Sequence, residues 1–193
     1  METVIIGQPK RKTITGLTLT ALFAALIAAG TFIAIPLPFS PVPVVLQNMF
    51  ALLAGLVLGP LRGGAAVGLY LIAGAIGAPV FAGAAGGVAR MLGPTGGFLL
   101  GYLLSALTAG FIAGNPGKHR SPSPVRIILA VAAGFLIVYV PGVLWLKRSL
   151  DVSWLRALGA GFFPYLIGDA LKGIIAGIIA PRLRRTAADR LYG

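Results

Sequence analysis

The placement of the charged residues limits what this chain can fold into. Only 10% of its 193 residues are charged and 58% are hydrophobic, and the charges cluster between long apolar runs. Soluble domains carry about 25% charged residues, so this chain has too few polar side chains to cover a surface in contact with water. The sequence therefore predicts an all-α, polytopic membrane protein that forms a single domain over residues 1–193.

Six apolar runs are long enough to be candidate membrane-spanning helices, since a helix crosses the hydrocarbon core in about 20 residues. They cover about residues 15–35, 44–58, 63–78, 96–113, 127–146 and 164–180. Cytoplasmic loops carry an excess of Lys and Arg, which sets the orientation. With a cytoplasmic N-terminus, eleven of the sixteen Lys and Arg residues lie inside, four lie outside, and Lys172 falls within the last span. This bias predicts a six-helix bundle with both termini in the cytoplasm.

The sequence lacks the residues that several classes of function need. The net charge of +12 is compatible with nucleic-acid binding, but basic residues at the ends of apolar runs do not form a solvated basic face. There is no cysteine and His119 is the only histidine, which excludes thiolate and histidine metal sites. The Walker sequence that binds ATP is missing, and Asp169 is the only acid in the six spans. We therefore expect no enzyme, no metal ion and no nucleic-acid partner.

Asp169 and Lys172 place two charges inside the sixth predicted span, where each charge is costly. Residues three apart on a helix share one face, so the two side chains can meet. One interpretation is a structural ion pair whose members neutralise each other. The other interpretation is a cavity in which the pair offers an acceptor and a donor to a polar ligand, which is the default for ionisable groups at membrane depth.

Two loops on the predicted outer side are unusually apolar. Residues 36–43 contain four prolines, which predicts a stiff, extended segment that acts either as a lid or as a rigid connector. Residues 77–98 are rich in glycine, which suggests backbone packed against a ligand or neighbouring helices. Their one charge, Arg90, is either solvated or holds a carboxylate. Gln47 and Asn48 follow the first loop and can hydrogen-bond a ligand or another helix.

The first span carries small residues at helical spacing, and such a stripe lets another helix approach closely. The stripe consists of Ala21, Ala24, Ala25, Ala28 and Ala29. The approaching helix is either a neighbour within the bundle or part of a partner membrane protein.

Four segments resemble the motifs of the BioY family, the biotin-specific S components (substrate-binding subunits) of energy-coupling factor transporters. They are PVPVVLQ at 41–47, GAPVFAG at 77–83, GPTGGF at 93–98 and PYLIGDALK at 164–172. The resemblance covers about residues 14–180. One departure is Phe98, at a position where the family motif is expected to have tyrosine, so a contact by that hydroxyl is in doubt.

The resemblance implies a protein of the plasma membrane that captures biotin from outside, with biotin as the transported ligand and no cofactor. It also implies two kinds of partner, a transmembrane coupling subunit that docks on the alanine stripe and two ATPase subunits that hydrolyse ATP. Two alternatives remain: an S component for a different vitamin, and a non-transport membrane scaffold in which the pair of Asp169 and Lys172 is structural.

The resemblance also places the ligand-binding residues of the family on this chain. The polar groups are Arg90, Asp169, Lys172, Gln47, Asn48 and the backbone of Gly86 and Gly87. The carboxylate of biotin needs a cation, and its ureido ring presents two N–H donors and one carbonyl acceptor, which a carboxylate and an amide or ammonium group can pair. The side chains expected against its apolar body are Phe39, Phe81, Tyr70 and Tyr139.

Overall fold

The structure is a computed structural model that describes residues 8–117 and 122–192. This part of the chain forms eight α-helices and one β-hairpin. In chain order they are α1 (Gln8–Ala29), β1 (Ala34–Leu37), β2 (Ser40–Val45), α2 (Gln47–Leu58), α3 (Pro60–Ala75), α4 (Val88–Leu92), α5 (Gly96–Ala113), α6 (Pro124–Leu150), α7 (Trp154–Gly161) and α8 (Leu166–Tyr192). Lys118, His119 and Arg120, and the residues before Gln8, lie outside the described residues.

Six of these helices, α1, α2, α3, α5, α6 and α8, coincide with the six predicted spans. Four regions are long and apolar enough to cross a membrane: residues 12–32, 96–113, 124–150 and 154–192. Helices α2 and α3 have 12 and 16 residues, fewer than the roughly 20 that a full crossing needs. The multi-pass architecture is therefore confirmed, whereas the number of crossings remains a prediction.

The proline-rich segment forms a hairpin, which departs from the all-α expectation. β1 and β2 pair antiparallel, with Ala34 opposite Val45 and Leu37 opposite Ser40. The prolines and β-branched residues favour extended backbone, as the sequence predicted, but pairing between the two halves of the segment was not foreseen.

Helix α2 lies at the centre of the bundle and packs against α1, α3, α5 and α8. Glycine makes this close packing possible. A side chain at Gly55 would lie 2.1 Å from the carbonyl oxygen of Ala106 on α5, and one at Gly63 on α3 would lie 2.6 Å from Gly55. Only hydrogen fits at these crossings, so the backbones of three helices approach one another directly.

Helices α2 and α3 are joined by the sharpest reversal in the fold. Gly59 adopts a positive φ of 82°, which favours glycine, and its N–H donates to the carbonyl of Gly55 at 3.0 Å. Pro60 then occupies the first position of α3, where its missing N–H costs nothing. The sequence Gly-Pro thus ends one helix and begins the next.

Arginines gather at one end of the bundle, which we call the basic end, and the hairpin, α4 and α7 lie at the other end, the hairpin end. Arg184 on α8 is only 4% exposed. It donates to the carbonyls of Leu56 in α2, of Ala113 at 3.2 Å and of Gly114 at 2.9 Å. These carbonyls end α2 and α5 and lack helical partners, so the arginine joins three helices. The sequence analysis counted Arg184 among the eleven basic residues of the cytoplasmic side and did not foresee its burial.

Candidate functional site

The two charges predicted within the last span lie together on α8, buried toward the hairpin end. Asp169 is 7% exposed and Lys172 is 8% exposed. Lys172 Nζ lies 2.8 Å from Asp169 Oδ1, so the predicted sharing of one helix face is confirmed. Burying two charges is tolerable only when both are bonded by polar partners.

Those partners come from two other helices. Asn48 on α2 donates through Nδ2 to Asp169 Oδ1 at 2.9 Å and accepts from Lys172 Nζ at 3.1 Å. Tyr139 on α6 donates its hydroxyl to Asp169 Oδ2 at 2.5 Å. We call these four residues the Asp169 cluster. The bonds of Asp169 and Lys172 in this cluster join side chains, so each of them can break and be replaced by a bond to a ligand without unfolding a helix.

A second polar group surrounds Gln47, one residue before Asn48. Gln47 Nε2 lies 2.9 Å from the Tyr70 hydroxyl and 2.9 Å from the carbonyl oxygen of Val80, and it also contacts the Thr31 hydroxyl. We call Thr31, Gln47 and Tyr70 the Gln47 cluster. Tyr70 packs edge-to-face on Phe81, with ring centroids 5.5 Å apart. Consecutive residues at the start of α2 thus serve different clusters.

Arg90 lies on the short helix α4 and is half-buried. Its Nη2 donates to the carbonyl of Ala82 at 3.4 Å, a weak hydrogen bond. Its Nε is buried and has no hydrogen-bond partner among the residues that the structure describes. A half-buried guanidinium group with a free donor is available to an anion.

Gly86 and Gly87 shape the loop before α4. A side chain at Gly86 would lie 2.4 Å from the carbonyl oxygen of Ala78, so this glycine is needed for packing within the loop. Gly87 has a positive φ of 91°, and its N–H donates to the carbonyl of Gly74 at 2.7 Å. The expectation that backbone in this loop is closely packed is therefore confirmed, with neighbouring protein rather than a ligand as the packing partner. Backbone contacts of these two glycines with a ligand remain a prediction.

Two small cavities lie beneath β2 and share one wall. The shared wall consists of Val42, Pro43, Val45, Phe98 and Tyr102. The cavity on the Gln47 side also reaches Arg90 and measures about 20 Å³. The cavity on the Asp169 side measures about 30 Å³ and reaches all four members of the Asp169 cluster and Tyr165. Sites for vitamin-sized ligands measure about 300 Å³ or more, so the structure is closed over its polar groups.

Hydrogen bonds at the hairpin end hold β2 over these cavities. Ser40 Oγ donates to the carbonyl of Ala160 at 2.5 Å. The Tyr165 hydroxyl lies 2.9 Å from Ser40 Oγ and contacts the carbonyl of Val42. We call these bonds the hairpin contact. Neither Ser40 nor Tyr165 was predicted as a site residue, although Ser40 is the only hydroxyl residue of the proline-rich loop and could have drawn attention.

The aromatic residues named from the sequence have different positions. Phe81 and Tyr139 line the cavities, and Tyr70 adjoins them through Gln47. Phe39 lies at the hairpin turn, is 63% exposed and does not line either cavity, so its contact with a ligand remains a prediction. Tyr102 was missed. It lies one helical turn after Phe98 on α5 and lines both cavities.

The alanine stripe of α1 divides into two sets. Ala24 and Ala28 are half-buried beside the neighbouring helices, whereas Ala21, Ala25 and Ala29 are exposed. The exposed set recurs every four residues and forms a line along one face. Packing within the bundle therefore accounts for only part of the stripe.

Comparisons with known proteins agree on one family. The BioY family profile matches residues 7–189. The chain is 39% identical to the probable biotin transporter BioY of Pyrococcus horikoshii over 86% of this chain and 94% of that protein. It is 37% identical to the biotin transporter BioY of Thermotoga maritima over 88% of this chain and 95% of that protein.

Solved structures show the same relationship. The S-component for biotin from an ECF-type ABC transporter superposes with a TM-score of 0.83 at 32% identity, over 93% of this chain and 95% of that chain. FolT bound with folic acid superposes with a TM-score of 0.60 at 18% identity, over 89% of this chain and 93% of that chain, which is a likeness of fold alone.

Proposed function

The chain belongs to the BioY family, and from this membership we propose that it captures biotin as the S component of an energy-coupling factor transporter. It is a multi-pass protein of the cell membrane. The observation that carries the proposal is the closed pair of cavities at the hairpin end, in which the donors and acceptors that biotin requires face a common apolar wall.

The two cavities match the two polar ends of biotin. The ureido ring has two N–H donors and one carbonyl acceptor. Asp169 can accept hydrogen bonds from the N–H groups, and Asn48 or Lys172 can donate to the carbonyl. The carboxylate needs a cation, and Arg90 in the other cavity has a donor without a partner in the described part of the chain. Phe98 and Tyr102 in the shared wall are suited to the apolar body of biotin. Tyr102 lies one helical turn after position 98, where the family motif is expected to have a tyrosine, and it supplies a hydroxyl near that position.

Capture requires the hairpin to move. The cavities are too small for the ligand, so β1 and β2 open by breaking the hairpin contact at Ser40 and Tyr165 and close again over bound biotin. Within the Asp169 cluster, biotin replaces bonds between side chains by bonds to its ureido group. Analogues without those groups leave buried polar atoms unpaired, which costs about 1–3 kcal/mol for each atom and gives selectivity.

The orientation follows from the distribution of basic residues. We place the basic end in the cytoplasm, with both termini, because Lys and Arg are enriched on that side of membrane proteins. The hairpin end then faces outward and receives biotin. We propose six crossings in one membrane domain, with α2 and α3 accommodated by local thinning of the bilayer.

Release of the ligand into the cytoplasm depends on partners. We propose a transmembrane coupling subunit that docks on the exposed stripe of Ala21, Ala25 and Ala29, and two ATPase subunits that supply ATP hydrolysis. The chain itself is not an enzyme in this proposal. Small residues on a lipid-facing helix permit the close approach of another helix.

The test is calorimetric titration of biotin into the detergent-purified protein and into the Arg90→Ala variant. We expect tight binding by the parent and strongly weakened binding by the variant. Arg156→Ala is the matched control, since Arg156 is exposed at the same end. A folded parent that shows no heat and no biotin-dependent change in melting temperature would sink the biotin assignment, and competition with other vitamins would then identify a different substrate.

A further inference from the structure

A large groove lies between α6 and α8, with a volume of about 920 Å³. Its lining is apolar except for Tyr139 and Asp169 toward the hairpin end and Arg185 toward the basic end. Tyr139 and Asp169 also border the small cavity of the Asp169 cluster, so the groove lies behind that cluster, on the outside of the bundle.

A glycine on α8 leaves space for the groove. Gly177 lines it, and a side chain built there would meet no described residue within 4 Å. Ile174 and Ile178 of α8 and Ile128 of α6 line it and are exposed, so the described protein leaves large apolar surfaces uncovered. In a multi-pass membrane protein, acyl chains cover such surfaces.

The dimensions of the groove match one lipid-facing path through the bilayer. Its α8 wall runs from Leu166 to Arg185, which is about 29 Å at 1.5 Å per residue. The hydrocarbon core is about 30 Å thick, so Arg185 lies near the level of the headgroups. Arg185 is exposed and, within residues 8–117 and 122–192, has no hydrogen-bond or ion-pair partner. Its neighbour Arg184 is bonded to three carbonyls, so only Arg185 of this pair is available.

We propose that this groove is a binding site for one anionic phospholipid, with an acyl chain between α6 and α8 and the phosphate on Arg185. The planar guanidinium group binds phosphate through two parallel hydrogen bonds, which a zwitterionic headgroup also permits. The net negative charge of the lipid adds the electrostatic preference, because a basic side chain near the membrane surface favours anionic lipid. The inference does not rest on the proposed substrate.

Native mass spectrometry of the delipidated protein tests the headgroup. The protein is mixed with equal amounts of phosphatidylglycerol and phosphatidylcholine that carry identical acyl chains. We expect the phosphatidylglycerol adduct to dominate, and Arg185→Gln to lower this preference by about fivefold. Arg182→Gln is the matched control, because Arg182 is exposed on the same helix but does not line the groove. Equal losses in both variants would indicate a diffuse attraction of the basic end and would overturn the proposal.

A second pair of variants tests the acyl chain. Gly177→Leu fills the groove, whereas Gly168→Leu adds the same side chain to α8 at another position with nothing within 4 Å. We expect only Gly177→Leu to lose the adduct, and both variants to elute as folded, monodisperse protein. Loss of the adduct to millimolar glycerol phosphate would assign the site to free phosphate, and a dimer that disappears in Gly177→Leu would assign the groove to a second copy. Either result overturns the proposal, as does equal binding of the two lipids.

Discussion

Helix α8 buries charge at two places, about 18 Å apart along its axis, and bonds that charge in two different ways. Near the hairpin end, Asp169 and Lys172 are bonded to each other and to side chains of α2 and α6. Near the basic end, Arg184 is bonded to main-chain carbonyls that end α2 and α5. A carbonyl at a helix terminus is fixed by the helix, whereas a side chain can exchange its partner.

This difference distinguishes a ligand site at Asp169 and Lys172 from a structural contact between helices at Arg184. Both groups are almost completely buried, so burial alone would assign both to function. The identity of the bonding partners distinguishes them, because a site must be able to open its bonds to a ligand. Variants at the two places should therefore affect different measurements.

The largest effect on ligand binding is expected for Asp169→Asn. The variant keeps the shape of the side chain but removes the charge that Lys172 and the ureido N–H groups require. We expect biotin affinity to fall by about 30-fold or more, since losing one member of a buried charged pair costs about 2–5 kcal/mol. Calorimetry measures the change, with Asp151→Asn as an exposed control at the same end. Affinity equal to that of the parent would make the pair structural and support the scaffold alternative.

Arg184→Gln should affect stability instead. The shorter side chain leaves carbonyls of α2 and α5 unpaired, so we expect the free energy of unfolding to fall by about 2 kcal/mol. The melting temperature of the detergent-solubilised variant reports this change. Arg185→Gln, one residue later and exposed, should melt like the parent. If Arg184→Gln weakened biotin binding in protein that is still folded, the assignment of a purely structural role to Arg184 would be wrong.

Tyr165→Phe should have a smaller and kinetic effect. It removes the hydroxyl that contacts Ser40 and Val42 and so weakens the hold on the hairpin. We expect biotin to dissociate about fivefold faster, as the loss of about 1 kcal/mol from one hydrogen bond implies. Exchange of bound labelled biotin measures the rate, and Tyr192→Phe on the exposed end of α8 is the control. An unchanged rate would show that the hairpin contact does not control release.

Ala25→Leu should leave the isolated protein unchanged, because the residue is exposed and outside both clusters. We expect normal biotin affinity but impaired co-purification with the coupling subunit, since leucine prevents the close approach of another helix. Ala132→Leu, exposed on α6, makes the same substitution on a different face of the bundle. Equal assembly of Ala25→Leu, Ala132→Leu and the parent would remove the docking role of the stripe.

The predictable part of the fold follows from local rules. The apolar runs located all six long helices, because their length and low charge admit few other structures. The spacing of Asp169 and Lys172 predicted their contact, because residues three apart on a helix face the same way. These inferences require only the geometry of a single helix.

The features that were missed depend on contacts between distant segments. Arg184 is one of four arginines between residues 182 and 190, and nothing local indicates which of them points inward. The hairpin contact joins Ser40 to Tyr165 across 125 positions of the sequence. Phe39 was assigned to the ligand from its aromatic character, but the hairpin pairing turns it outward. Local pattern therefore predicted six of the eight helices and most polar groups, but not α4, α7 or the contacts between distant segments.

The different roles of the two buried charges on α8 are tested by a side-by-side titration of biotin into Asp169→Asn and Arg184→Gln, with the melting temperature of each variant measured on the same samples. We expect Asp169→Asn to lose at least 30-fold in affinity and to melt near the parent, whereas Arg184→Gln melts earlier and keeps the affinity of the parent. The reverse pattern, or the same pattern for both variants, would contradict the assignment of ligand binding to Asp169 and of a structural role to Arg184.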